Sequence, residues 1–225
     1  MKQTLSVFST LAALTLAGLS ANAATYTDPT GDGALTGAGG GILDITSVEV
    51  NTTATDLIFK INVAGNPVAT DWGKYMIGID SVAGGDTTGD GWVRPISMSS
   101  GMDYWVGSWV DSGNGAQLWQ YTGAWNNIGA PTISKDSSSV TLQFNFGALG
   151  LASGSTFLFD VYTSGGGGGD SAVDALGNPG QTIANWGDPY NSGGLVKSFT
   201  IPEPSVLALI GLGGLALVRR SLRRK

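Results

Sequence analysis

Apolar and polar residues alternate along much of the chain between residues 24 and 200. The clearest examples are the stretches DLIFKINVAG and SVTLQFNFG, in which every second residue is apolar. A period of two is typical of half-buried β-strands. The same pattern predicts strands in KYMIGIDSV, STFLFDVYTS, LVKSFTI and LDITSVEVN, the last with a break in phase at Thr46 and Ser47.

Turn signals rich in Gly, Asn and Asp separate these stretches, for example at Gly65–Asn66–Pro67. No segment of this region keeps a helical period, and the best candidate, FGALGLASG, is interrupted by Gly150. Many short strands joined by such turns are typical of sandwiches and barrels. We therefore predict an all-β, jelly-roll-like antiparallel β-sandwich over residues 24–200, with about eight to ten strands. We expect the stretch SGGGGGDS to be a surface loop within it.

The N-terminal segment MKQTLSVFSTLAALTLAGLSANAATY has the three parts of a secretory signal peptide. Lys2 is the positive residue, residues 5–19 form the apolar stretch, and Ala21 and Ala23 give the small-x-small cleavage pattern. The pattern predicts a signal peptide at residues 1–23, forming an N-terminal signal helix that is removed by cleavage after Ala23.

The chain ends in IPEPSVLALIGLGGLALVRRSLRRK, in which residues 206–218 are an unbroken apolar run of 13 followed by a basic tail. A lasting membrane helix needs about 20 apolar residues. The run therefore predicts a short transmembrane helix that pauses the chain in the membrane with its basic end inside. A plain tail anchor is the alternative.

These C-terminal parts resemble the PEP-CTERM sorting domain. The resemblance covers residues 201–225 and is carried by Pro202, Glu203 and Pro204, the apolar run and the basic tail. It implies processing by exosortase, a membrane peptidase of Gram-negative bacteria that make exopolysaccharide. An inner-membrane intermediate would then give a product at the cell surface or in the extracellular matrix. Because both prolines favour extended backbone, we expect residues 201–204 to form an exposed, extended strip.

Composition and charge narrow the chemistry of the central region. The chain has 36 Gly, no His and no Cys, which excludes a Ser-His-Asp triad, a Cys-His dyad and a zinc site with His or Cys ligands. Residues 24–199 hold five basic and 16 acidic residues, a net charge of −11. Such a charge disfavours nucleic acid as a partner. It suits Ca²⁺, which prefers oxygen ligands.

One acidic pattern, Asp-x-Thr-Gly-Asp-Gly, occurs twice, beginning at Asp28 and at Asp86. Carboxylates beside a Gly-permitted bend can surround Ca²⁺ with oxygen atoms. We expect Asp28, Asp32, Asp86 and Asp90 to be metal ligands, with Ca²⁺ as the possible ion. The alternative is a pair of Asp-Gly surface turns without metal.

A second candidate site is aromatic and lies in the segment MDYWVGSWVDSGNGAQLWQYTG. If residues 112–116 close a hairpin, Trp109 lies opposite Trp119, and indoles flanked by Asp103 and Asp111 form one face. Sugar rings stack on such surfaces, so we expect carbohydrate contacts from Trp105, Trp109, Trp119 and Tyr121. Trp92, Trp125 and Trp186 lie near Gly-rich turns and are further candidates. Burial of this face in the core is the alternative.

The central region also resembles DOMON-like and family-9-like carbohydrate-binding sandwiches, through DPTGD, LDITSVEV, TDLIFKINVAG and FLFDVYTSGGGGGDSAVD. The resemblance implies a sugar-binding β-sandwich. Together with the sorting signal, it favours an exported, non-catalytic surface or matrix protein associated with exopolysaccharide. The alternatives are a structural matrix protein without a small ligand, and a secreted glycosidase. A glycosidase needs a pair of carboxylates, and the sequence nominates none.

Overall fold

A computed structural model describes residues 23–178 and 183–203. Fourteen strands form within these ranges. They are β1 Ala24–Thr27, β2 Ile45–Thr52, β3 Asp56–Val63, β4 Lys74–Asp80, β5 Ile96–Ser97, β6 Tyr104–Trp109, β7 Gly115–Tyr121, β8 Trp125–Gly129, β9 Thr132–Lys135, β10 Ser139–Asn145, β11 Thr156–Ser164, β12 Asp174–Ala175, β13 Tyr190–Asn191 and β14 Lys197–Thr200. The helical segments in the described ranges are 3-10 turns, at Ala38–Gly40 and Phe146–Leu149.

The strands form two main sheets. The smaller sheet has the order β1-β2-β3-β10-β9. The larger has the order β12-β11-β4-β6-β7-β8, and β14 also pairs with β11. All pairings within these two sheets are antiparallel, whereas β13 and β5 form a separate parallel pair.

The main core lies between the two sheets and is built by the alternating strands. In β3 every second residue is buried, from Leu57 to Val63. Phe59 of β3 meets Phe159 of β11 edge to face at 5.3 Å, so the inner faces of the two sheets are in contact. Tyr26 of β1 packs on the same Phe159 ring at 5.2 Å. Burying each such side chain contributes about 1.5–3 kcal/mol. The predicted β-sandwich is confirmed.

The outer face of the larger sheet is covered as well. Met76, Trp105 and Tyr162 point away from the main core, yet each is fully buried. They form a second apolar cluster with Ile96 and Tyr190, which come from the segments of the β5–β13 pair. The central strands of this sheet are therefore apolar on both faces, which is why β4 and β6 show continuous burial rather than alternation.

Local features of the sequence explain the details of the strands. The break in phase at Thr46 and Ser47 is a β-bulge, where the register of β2 against β3 shifts between Ile45 and Ser47. The stretch FGAL forms a 3-10 turn that ends at Gly150 in a left-handed conformation (φ 67°). Such a conformation costs least for a residue without Cβ.

Two predictions, the number of strands and their order in the sheets, need correction. The described residues contain more strands than the expected eight to ten because two-residue strands such as β5, β12 and β13 are too short to show a period. Consecutive strands β1-β2-β3 and β6-β7-β8 form meanders within single sheets. A jelly roll is built from two Greek keys instead. The fold is thus a two-sheet sandwich of different strand order from the predicted jelly-roll-like one.

The predicted terminal segments lie largely outside the described residues. This applies to the signal helix at residues 1–22 with Ala21, to Pro204, and to the apolar run at residues 206–218. Within the described ranges, no helix has the length and hydropathy required to cross a membrane. Ile201 is not part of an exposed strip as expected, because its side chain is buried in the main core, while Glu203 is exposed.

Candidate metal centre and tryptophan surface

Three carboxylates meet at one end of the sandwich. Asp28 directly follows β1, Asp32 lies in the next turn, and Asp174 begins β12. One carboxylate oxygen of each lies within 4.8 Å of the others. Asp28 and Asp174 are buried and Asp32 is half-buried. We call these three residues the acid cluster. It contains one of the two predicted Asp pairs.

Backbone hydrogen bonds bring the acid cluster together. The N–H of Asp28 donates to the carbonyl of Thr46 at 3.1 Å, which fixes the loop after β1 beside β2. The N–H of Ile45 donates to Asp174 Oδ2 at 2.6 Å, so the start of β2 also holds β12. A fourth carboxylate, Asp44, accepts the N–H of Gly31 at 3.0 Å and supports the turn that carries Asp32.

The carboxylates of the acid cluster are unequally satisfied. Both side-chain oxygens of Asp28 and of Asp32 are buried with no hydrogen-bond partner among the described residues. Asp174, in contrast, accepts N–H groups from Ile45 and Ala175. Burial, with the neighbouring Asp174 and Asp32 charges, raises the pKa of Asp28 to about 8. Burial raises the pKa of Asp174 to about 7 and also raises that of Asp32.

In the second copy of the acidic pattern, both carboxylates accept hydrogen bonds from protein groups. Asp86 Oδ1 accepts the N–H groups of Thr88 at 2.8 Å and Gly89 at 3.2 Å, which is the geometry of an Asp-initiated turn. Its Oδ2 accepts Trp125 Nε1 at 2.9 Å. Asp90 Oδ1 accepts the N–H of Trp92 at 2.6 Å. Among the described residues, both oxygens of Asp86 thus accept protein donors, whereas Asp90 Oδ2 is buried without a hydrogen-bond partner.

Sequence reasoning missed Asp174, which completes the acid cluster. The signal that could have found it is an Asp between Val173 and Ala175, where a buried strand would normally place an apolar residue. Nothing in the spacing relates it to Asp28, since contact between distant strands is a property of the fold.

The predicted register of the β6–β7 hairpin is wrong. Trp105 pairs with Trp119, and Trp109 pairs with Gly115 rather than with Trp119. The physical reason is that Gly115 leaves room for an indole, since a Cβ at this position would overlap the Trp109 ring. The turn before Gly115 also takes two non-Gly residues in left-handed conformations, Ser112 and Asn114.

Three half-buried indoles, Trp92, Trp109 and Trp119, lie on the outer face of the larger sheet. Trp92 crosses over Gly107, where a Cβ would again overlap the ring, and lies 6.4 Å from Trp109 between ring centroids. Gln117 Oε1 accepts Trp92 Nε1 at 2.8 Å and Trp119 Nε1 at 3.2 Å. We call Trp92, Trp109, Trp119 and Gln117 the tryptophan surface.

Two of the predicted carbohydrate contacts lie apart from this surface. Trp105 is fully buried and stacks on Tyr162 at 5.7 Å, so it belongs to the second core and has no exposed ring face. Its assignment as a ligand contact is corrected accordingly. Tyr121 is half-buried and packs on Trp125 at 5.4 Å, one strand further along the sheet.

The expected flanking carboxylates are engaged elsewhere. Asp103 Oδ2 accepts the N–H groups of Ser81 at 2.7 Å and Val82 at 2.9 Å, which caps the end of β4. Asp111 pairs with Lys74 at 3.1 Å. Gln117, which the sequence did not single out, is instead the polar group at the centre of the tryptophan surface.

The residue after Trp92 is strained and exposed. Val93 has φ 59°, a left-handed conformation that is a genuine outlier for a β-branched residue. Its side chain is 87% exposed, so packing does not compensate the strain. Strained residues of this kind cluster at binding sites.

Comparison with known proteins identifies the C-terminal signal. The model of the PEP-CTERM protein-sorting motif matches residues 200–225. The chain therefore carries a PEP-CTERM sorting motif, which supports processing by the membrane peptidase exosortase. The motif implies export, membrane-anchored processing and then a surface location. A search of curated proteins found no match. The resemblance of the body to DOMON-like and family-9-like modules is not confirmed by these comparisons.

Proposed function

We propose that this exosortase-sorted surface protein is non-catalytic, and that its sandwich binds exopolysaccharide of a Gram-negative bacterium through the tryptophan surface. The observation that carries the proposal is the group of three half-buried indoles, in which Trp92 and Trp119 donate to Gln117 and Trp92 lies 6.4 Å from Trp109.

The packing of the indoles supports stacking of sugar rings. Gly107 and Gly115 have no Cβ, so Trp92 and Trp109 lie close against the strand backbone. An indole held in this way has few rotamers left to lose when a ligand binds, which lowers the entropic cost of association. Its apolar ring and polar N–H suit a surface that is partly wet.

The non-catalytic role rests on the burial of the clustered carboxylates. Asp28 is 8% and Asp174 is 4% exposed, so neither can reach a glycosidic bond on the surface. A glycosidase needs two carboxyl groups flanking the scissile bond. A purely structural matrix protein is the main alternative, and the complete burial of Trp105 favours it.

Affinity gel electrophoresis of the full chain in detergent micelles tests the proposal, with the polysaccharide of the host cast in the gel. Trp109→Ala and Trp119→Ala should restore most of the mobility that the polysaccharide removes from the wild type. Trp72→Ala is the matched control, because Trp72 is also half-buried but packs on Trp186, outside the tryptophan surface.

Equal mobility of wild type with and without polysaccharide would favour the structural matrix protein. Release of the chromophore from a chromogenic glycoside would favour the glycosidase. If Trp72→Ala lost retention by the polysaccharide as fully as Trp109→Ala and Trp119→Ala, the assignment of the tryptophan surface as the binding site would be contradicted.

A further inference from the structure

Asp28 is a buried carboxylate that lacks the partners such a group requires. Its side chain is 8% exposed, and neither of its oxygens has a hydrogen-bond partner among the described residues. Buried carboxylates are normally paired with a charge, hydrogen-bonded or coordinated to a metal. The oxygens of Asp32 are in the same condition and point into the same cluster.

The basic side chains of the body do not supply the missing charge. The ion pairs of the described residues are Lys60–Glu49 and Lys74–Asp111, and neither involves the acid cluster. The charge of Lys197 lowers the pKa of Asp28, but burial and the neighbouring carboxylates outweigh it. Three carboxylates within 4.8 Å repel one another unless something positive lies between them.

We infer that Asp28, Asp32 and Asp174 bind one divalent cation of the Ca²⁺ class, which fastens the first loop of the body to β12. The donor set is entirely carboxylate oxygen, which suits hard cations. Ca²⁺ accepts six to eight oxygens, several of them from bidentate carboxylates, in a flexible geometry. Mg²⁺ demands a near-ideal octahedron and usually keeps several waters, so it suits a buried carboxylate cage less well.

The position of the acid cluster gives the ion a structural role. Asp28 and Asp32 follow β1, a four-residue strand at the edge of the smaller sheet. Asp174 begins β12, at the edge of the larger sheet. A cation between them links the two sheets and holds the first strand of the body in place. Because such a site does not exist in the unfolded chain, binding adds directly to the stability of the fold.

Isothermal titration calorimetry with CaCl2 alone, on the EDTA-treated full chain in detergent micelles, tests the inference. We expect one ion per chain, and a rise in Tm of about 5–10 °C at a hundredfold excess of Ca²⁺ over Kd. Asp28→Asn and Asp174→Asn should abolish both effects. Asp71→Asn is the matched control and should keep both, because Asp71 is exposed and outside the cluster.

A melting curve in EDTA separates a ligand from a merely structural carboxylate. Without the ion, Asp28→Asn replaces a buried carboxyl group that has no hydrogen-bond partner, so its Tm should equal or exceed that of the wild type. If Asp174→Asn fails to fold, Asp32→Asn provides the second loss of binding, since Asp32 lies in a half-exposed turn. No heat with millimolar Ca²⁺, together with equal Tm in Ca²⁺ and EDTA, would overturn the inference. Binding that survives both Asp28→Asn and Asp32→Asn would overturn it as well.

Discussion

The backbone N–H of Ile201 donates to the carbonyl of Ser155 at 2.9 Å, directly before the sorting motif. The carbonyl of Ile201 accepts the N–H of Gly154 at 2.8 Å, and its side chain is 1% exposed. Two residues later, Glu203 is exposed. The packed sandwich therefore extends one residue into the predicted sorting segment, and the motif emerges at the surface immediately after it.

Ile201→Ala should destabilise the sandwich. The side chain is fully buried in the main core, and removing it leaves a cavity, so we expect a loss of roughly 2–5 kcal/mol in the free energy of unfolding. Denaturant unfolding in detergent measures it. Leu195→Ala, at a side chain that is 57% exposed, should change stability by less than about 0.5 kcal/mol. Equal effects of the two changes would show that Ile201 does not pack in the core.

Glu203→Ala should leave the fold intact and stop processing. Glu203 is exposed and lies within the matched motif, so its loss removes a recognition group without disturbing the core. Immunoblotting of host cell fractions should show an unprocessed, membrane-retained form. Glu49→Ala is the control, because Glu49 lies outside the motif, where it accepts Asn62 Nδ2 at 3.1 Å and forms a weak surface pair with Lys60 at 3.9 Å. Normal processing of Glu203→Ala would contradict the role given to the motif.

Sequence periodicity predicts the strands that have one face in the core and one face in solvent. In such strands apolar and polar residues alternate, because only one face is buried. β3 and β10 are of this kind, and even the bulge at Ile45–Ser47 was visible as a break in phase. The outer cover of the larger sheet was not predictable. It depends on segments such as residues 84–102, which show no period and contain only the two-residue strand β5.

The residues of the candidate sites likewise include some that the sequence predicts and some that it does not. Asp28 and Asp32 were found because a local motif places them in one loop. Asp174 and Gln117 were missed because each reaches its site through strand pairing that the sequence does not encode locally. The predicted hairpin register is wrong because more than one turn is compatible with the residues between β6 and β7. The packing of the Trp109 ring against Gly115 determines which register forms.

Asp160→Asn should flatten the dependence of stability on pH. Asp160 is fully buried, and burial raises its pKa from 3.8 to about 7 despite hydrogen bonds from Ser192, Gly177 and Val161 and the charge of Lys197. The folded protein thus keeps a proton that the unfolded chain loses between about pH 4 and 7. Stability therefore falls as the pH rises through this window, by roughly 4 kcal/mol for this group.

The measurement is the free energy of unfolding from pH 4 to pH 8, in EDTA to remove any ion near Asp28, whose carboxylate interacts with Asp160. The amide that Asp160→Asn introduces can replace the protonated acid, accepting at its oxygen and donating to Ser192, which can donate to Tyr162. The variant should match the wild type near pH 4 and exceed it at pH 7. Parallel curves for both proteins would refute this role of Asp160.

Val93→Asn should stabilise the protein and weaken its retention by polysaccharide. Asn tolerates the left-handed conformation that Val93 adopts at φ 59°, and relief of that strain is worth about 1–2 kcal/mol. Val93 directly follows Trp92 in the chain and is exposed, so we expect its replacement to reduce contact with a ligand on the tryptophan surface. Val82→Asn, at a position 64% exposed and without positive φ, is the control for both measurements. A loss of stability in Val93→Asn would contradict the strain.

The intact mass of the protein recovered from the surface of its native host tests whether the sandwich is exported and then loses both its N-terminal and its C-terminal segment. We expect a chain that begins at Ala24 and lacks both the apolar run at residues 206–218 and the basic tail. A recovered mass that still includes Lys225 would contradict it.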